Sequence, residues 1–206
     1  DVANPKAPLH FVLRSIDVDH EAWSAFAQTR SINQQKQDAW SWVRKRARDG
    51  TAEITASWSM SADHGRQTLL QQGHEMIYPS EYAPHRSSSG AAQKHPVSAP
   101  LIPTALETRN AGTSLQIEGT RSPEGYVQVW YDFKHVRLAG QSVHHRIKEG
   151  EEWIPDATMP TFATMNQSST AIVCPGRTSL IGVLAPLTPD GSPDESKRTL
   201  LFIEVK

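Results

Sequence analysis

Nine histidines, one cysteine and a knot of carboxylates are the groups in this 206-residue chain that could do chemistry. His144 and His145 are adjacent. In an extended segment adjacent side chains point to opposite faces, so the pair is poorly placed to share one metal ion. The zinc-protease spacing His-Glu-x-x-His is absent, and so is His-x-His. Scattered surface histidines account for the rest better than a metal centre does. Cys174 sits in "IVCPGR", three residues before Arg177, whose charge would lower a thiol pKa. A lone cysteine within an apolar strand is more commonly a small packing residue. Glu149, Glu151 and Glu152 crowd "EGEEW", but nothing sets a second acid across a cleft from them, as glycoside hydrolysis requires. Gly-x-Ser-x-Gly does not occur. Gly112 in "NAGTS" and Gly176 in "PGRTS" stand alone, and read as bulge or turn glycines rather than a phosphate cradle. No catalytic, cofactor-binding or metal-ligating residue is therefore assigned, and the expectation is a non-enzyme without a cofactor.

Composition narrows the partners. Twenty-one basic and 22 acidic residues give a formal charge of −1, so no global field draws nucleic acid or an anionic membrane. The local exception is Arg44, Lys45, Arg46 and Arg48, at the end of a predicted helix where cations suit the negative dipole end. A solvated helix face is the preferred reading of that cluster over a phosphate-binding patch. A single cysteine excludes an intrachain disulfide and a cysteine-rich zinc site. No apolar run approaches the ~20 residues of a spanning helix. The chain opens at Asp1 without a methionine, and an exported location presupposes a leader ahead of it.

The elements that would have to position any site follow from periodicity. "PLHFVLRSIDV" (8–18) is apolar on both faces, Phe11 and Leu13 against Val12, Ile16 and Val18, which marks a central strand. Asp19 caps a helix carrying Trp23, Phe26 and Ala27. A second helix runs through "KQDAWSWVRKRARDG" with Ala39, Val43 and Ala47 as its stripe, and Gly50 ends it. From Thr51 the period becomes two: Ile54, Ala56, Trp58 and Met60 alternate with polar residues. "DHGRQ" is a turn, and "QTLLQQGHEMIYP" is expected to return as the hairpin partner, ended by Pro79. "YVQVWYDFKHV" alternates most clearly, with Val127, Val129, Tyr131 and Phe133 on one face and Trp130 on the other. Trp130 marks either a binding surface or a residue covered by the helices. Weaker strands follow at 142–155 and 161–167, then a strand, a Pro175-Gly176 turn, a strand, a polar loop and a terminal strand "RTLLFIEV". The fold class is α+β, an N-terminal strand and two helices on a mostly antiparallel sheet system. One unit spans 1–206: a strand and helical part at 1–50, a hairpin at 51–82, a mobile loop at 83–103 and antiparallel strands at 104–206.

Three stretches, in order, resemble the core of bacterial secretins, the channel family of type II and type III secretion. "ITASWSMSADHGRQTLLQQGHEMIYPSEY" is similar to a strand, turn and return strand with a Tyr-Pro-x-Glu-Tyr exit. "TRNAGTSLQIEGTRSPEGYVQVWY" resembles the Val-Gly-Thr segment and its alternating strands. "SSTAIVCPGRTSLIGVL" resembles the Thr-Thr, Gly-Gln-Thr, Leu-Gly-Gly-Leu segment, with Arg177 in place of Gln and Val183 in place of the second Gly. Where that family carries a lip motif, this chain has only "TPDGSPDESKRTLLFIEV". The resemblance implies a non-enzymatic domain of the cell envelope, in periplasm or outer membrane, with a structural or binding role in secretion or outer-membrane assembly. It implies a homo-oligomer or other envelope proteins as partners, and membrane association only for an assembled oligomer. The competing readings are a soluble stand-alone β-rich binding module that forms no pore, and a hydrolase using Cys174 or a histidine.

Overall fold

The computed structural model describes residues 7–84, 100–149 and 151–206. The element order is β1 (Leu9–Asp19), α1 (His20–Gln28), α2 (Ile32–Arg48), β2 (Ala52–Ala62), β3 (Gln67–Pro84), β4 (Leu101–Arg121), β5 (Val127–Glu149), β6 (Glu152–Val173), β7 (Thr178–Leu184) and β8 (Lys197–Val205). Every ladder is antiparallel, in two four-stranded sheets ordered β2-β1-β8-β7 and β3-β4-β5-β6. The fold is α+β, as the periodicity indicates. Among the described residues no helix is long and apolar enough to cross a membrane.

β1 is central, bonded to β2 on one side and β8 on the other, which explains its two apolar faces. Leu9, Phe11 and Leu13 meet Leu201, Ile203 and Val205 of β8 and, across the sheet gap, Leu115, Ile117, Val129, Tyr131 and Phe133 of the second sheet. Each such fully buried large side chain contributes about 1.5–3 kcal/mol. The opposite face, Ile16 and Val18 with Leu200 and Phe202, takes the helices through Trp23, Phe26, Ala39 and Val43. The body is thus three layers: helices, first sheet, and one end of the second sheet.

Local chemistry sets the helix ends. Asp19 accepts the Ala22 N–H at 2.9 Å and starts α1. Ser31 and Gln34 form a capping box, so α2 begins at Ile32, earlier than its apolar stripe alone suggests. The basic end of α2 is spread on aromatic rings: Arg46 lies 4.7 Å from the Trp42 ring centre and Arg44 6.0 Å from that of Trp40.

Three expectations need correction. Residues 51–82 are not a hairpin: β2 pairs with β1, and β3 pairs with β4 in the other sheet. The turn at Asp63–Arg66, with Gly65 at φ 68°, carries the chain between layers; the Gly65 N–H donates to the Gly119 carbonyl. Pro79 does not end β3, which continues to Pro84 through register shifts at Pro79–Tyr82. β3 is an edge strand, where a residue lacking an N–H is tolerated at a bulge. The span 83–103 is strand at both ends, Pro84 lying opposite Leu101, and 85–99 falls outside the described residues. Ile54 is exposed as well, because a bulge at Ser15/Ile16 stops the alternation of β2 from burying it.

Candidate functional site

The second sheet does not stay a sheet. β4 pairs with β5 only from Gly112↔Val136 to Arg121↔Val127. Beyond that point β3 and β4 continue together to Pro84↔Leu101, and β5 and β6 to Glu149↔Glu152. Two two-stranded ribbons therefore leave the body, roughly 35–40 Å long at about 3.3 Å per residue. The facing edges of β4 and β5 carry no ladder along that length among the described residues.

The fork has a sequence cause. Gly73 and Gly112 lie directly opposite each other at the foot of the first ribbon. A Cβ on Gly112 would run into the Gln72 carbonyl, and one on Gly73 into the Ala111 carbonyl. Gly112 has φ 138°, which disfavours any side chain. On β5–β6 the ladder slips at Leu138/Gly140, at a similar height. Both irregularities sit where the strands lose the support of the first sheet.

Isolated two-stranded ribbons are marginal in water. These carry exposed apolar side chains, among them Ile77, Leu106, Val143 and Trp153. They touch each other through side chains. Tyr82 donates its hydroxyl to the Thr158 carbonyl at 2.7 Å. The Tyr78 and Phe162 rings lie 5.5 Å apart, and the Arg109 guanidinium lies 4.7 Å from the Phe162 ring centre. The Leu101 N–H donates to Asp156 Oδ2 at 2.7 Å, and His145 Nδ1–H reaches the same oxygen at 2.9 Å.

Below the fork, the splaying sheets leave an open cleft of about 810 Å³. Trp58, Met76, Phe133 and Met165 give it apolar walls, and Asp17, His135 and Arg137 lie at its polar side. Thr199 donates to Asp17 Oδ1 at 2.6 Å, and burial pushes that carboxyl above its ordinary range. Burial, and then the Arg137 charge, hold His135 below the ordinary imidazole value. Its Nδ1 lies 3.0 Å from the Thr113 hydroxyl. Arg137 donates to the Leu187 carbonyl at 3.0 Å. Each of the three thus has its own hydrogen-bond partner, in Thr199, Thr113 and Leu187.

The residues that could have done chemistry are dispersed. His144 is exposed and bonded to Ser142, while the neighbouring His145 turns to Asp156. Cys174 is exposed beyond the end of β6, not packed in a strand as expected, and among the described residues no histidine is hydrogen-bonded to it. The reason is the turn: Arg177 N–H donates to the Cys174 carbonyl where Gly176 takes φ 75°, turning the chain from one sheet to the other. Glu151 and Glu152 lie exposed at the far tip of the second ribbon. Trp130 is half-buried on the sheet face opposite the core, so the helices do not cover it. Among the described residues no three metal-ligating side chains converge. Sequence reasoning missed the ribbons, although Gly73 and Gly112 in otherwise alternating strands were the available signal.

No family model matches the chain, and no curated protein matches it. Solved structures do. The InvG secretin domain β-barrel from the Salmonella SPI-1 injectisome is 12% identical, with 98% of this chain and 63% of that one covered, at a TM-score of 0.46. The V. cholerae type IV competence pilus secretin PilQ is 12% identical over 100% of this chain and 62% of that one, TM-score 0.48. The Klebsiella pneumoniae type II secretion outer-membrane complex of PulD, PulS and PulC is 11% identical over 100% and 40%, TM-score 0.47. The chain spans less than two thirds of each of these, and the likeness is distant. InvG and PilQ are secretins by name.

Proposed function

We propose that the chain is a non-enzymatic, secretin-like domain of the cell envelope. Its role is structural: it lends strands to an assembly used in secretion or in building the outer membrane. The observation that carries the reading is the fork. Past Gly112↔Val136 two ribbons project from a closed body, their β4 and β5 edges carrying no ladder to each other among the described residues and their apolar side chains exposed. Such edges seek strands to pair with. Further copies of the chain are the natural partners, with other envelope proteins next, and only the assembled form would associate with a membrane. Cross-linking and sedimentation of the full-length protein in isolated envelopes test this. The expected result is a discrete high-mass species in the membrane fraction, and a monomer confined to the cytoplasm would refute it.

A second reading has its own observation. The body closes a complete apolar core within one chain, from Leu9 to Val205. A stand-alone binding module needs no more than that. It is the better account if the full-length protein is envelope-located yet monomeric at every concentration tested.

A further inference from the structure

We infer that the two ribbons are latched to each other in the isolated chain, and that the latch keeps their edges from pairing with a neighbouring copy. This rests on the self-association reading above and adds a control step to it.

Two contacts set the alignment. Tyr78 meets Phe162 and Tyr82 meets Thr158, so four residues forward on β3 match four residues backward on β6. β3 and β6 therefore run alongside one another, antiparallel, although they stand at opposite ends of the sheet order. The four strands have curled until the two outer ones meet. No backbone ladder joins them among the described residues; the bonds from the first ribbon to β6, from Tyr82 and from Leu101, each have a side chain at one end.

Side-chain closure differs in kind from a ladder. It parts without breaking either ribbon, because the β3–β4 and β5–β6 registers do not depend on it. Yet it is specific. Asp156, with its side chain only 10% exposed, takes the Leu101 N–H from the first ribbon and His145 from its own. Leu101 N–H belongs to the first residue of β4, and while it is held by Asp156 it is withheld from an incoming strand. Ala157, next to Asp156, is 1% exposed, so this stretch of β6 is shielded in the closed form. The glycine pair Gly73–Gly112 lies at the foot of the ribbon that would have to swing.

The test uses the full chain with Cys174→Ser and two added thiols, Ser80→Cys and Pro160→Cys. These positions fall midway between the two contacts and spare all the latch side chains. A short, reductively cleavable bis-maleimide should bridge them within one chain. The tethered protein should assemble more slowly by about fivefold or more, the lower end of ordinary coupling between two states. Reduction should restore the rate. Asp156→Asn with Tyr82→Phe, without a tether, should speed assembly while the thermal unfolding of the body stays where it was. Absence of an intrachain bridge overturns the latch and leaves self-association standing. So does a tethered chain that assembles as fast as the free one. A bridge that forms in a chain that never assembles, tethered or not, overturns the self-association reading and the latch's control of it together.

Discussion

The Tyr131 hydroxyl donates to the Ile181 carbonyl across 2.6 Å, tying an inner strand of one sheet to the edge strand of the other. Ile181 is the residue skipped at the β7 bulge, between Leu180 and Gly182, so its backbone is out of register with β8. Gln167 completes the arrangement, donating to the Tyr131 oxygen at 3.0 Å and to the Ile181 carbonyl at 3.1 Å. Burial pushes the Tyr131 phenol above its usual value, so it stays a donor throughout the ordinary pH range. Tyr131→Phe should therefore cost about 1–2 kcal/mol, the loss of one buried bond with Gln167 still serving the carbonyl. Urea unfolding would show it as a lower midpoint at unchanged slope. An unchanged midpoint would mean the bridge adds nothing.

Gly112→Ala and Gly125→Ala separate two costs of a glycine. Both have positive φ, but a Cβ at Gly125 meets nothing within 4 Å, whereas one at Gly112 meets the Gln72 backbone. Gly125→Ala should lose about 1 kcal/mol to conformation alone. Gly112→Ala should lose more, roughly 1–3 kcal/mol, because β3 must move as well. Equal losses in parallel denaturation curves would show that the close approach at the fork is not a constraint.

His135 gives the body a pH dependence with a definite sign. Its imidazole is held low by burial and by Arg137, so the unfolded chain takes up a proton more readily than the folded one. The stability it contributes is complete above its unfolded value near 6.5 and is lost as pH falls through the folded one. The melting temperature should thus drop between pH 7.5 and 5.5, and His135→Gln should flatten that slope. A slope unchanged by the substitution would assign the effect elsewhere.

Ile77 and Leu106 are diagonal neighbours on the ribbon face that turns away from Phe162, since Ile77 lies opposite Thr108 and Pro79 opposite Leu106. They are 68% and 65% exposed. Ile77→Ser with Leu106→Ser should leave body stability within about 0.5 kcal/mol, as surface changes do. The same pair should reduce the high-mass species seen by sedimentation. Unreduced assembly would remove this face from the interface.

What the sequence conveys about this fold is what burial imposes on it. β1, β8 and the lower half of β5 alternate or run apolar because they lie in the body, and Asp19 caps α1 by its own side chain. Ser31 and Gln34 were readable as a cap too, and mark the true start of α2. The pairing of β3 was not readable, because the Asp63–Arg66 turn has the same residues whether the next strand joins its predecessor or crosses to another layer. The ribbons were unreadable for a related reason. With little buried face, their strands lose the period of two, and 142–155 looks weak although it pairs nearly throughout. The candidate site lies in that weak-signal region.

Phe11 sits opposite Val205, so the first strand of the body is locked against the last. The residues of β8 must leave the ribosome before that strand can slot between β1 and β7, and before Phe202 can meet Trp40. During synthesis the helices and β1 have no finished surface to settle on. So long a closure makes folding late and slow relative to local structure. A body of this design stays pliant until its final strand has been made, and hardens in one late step.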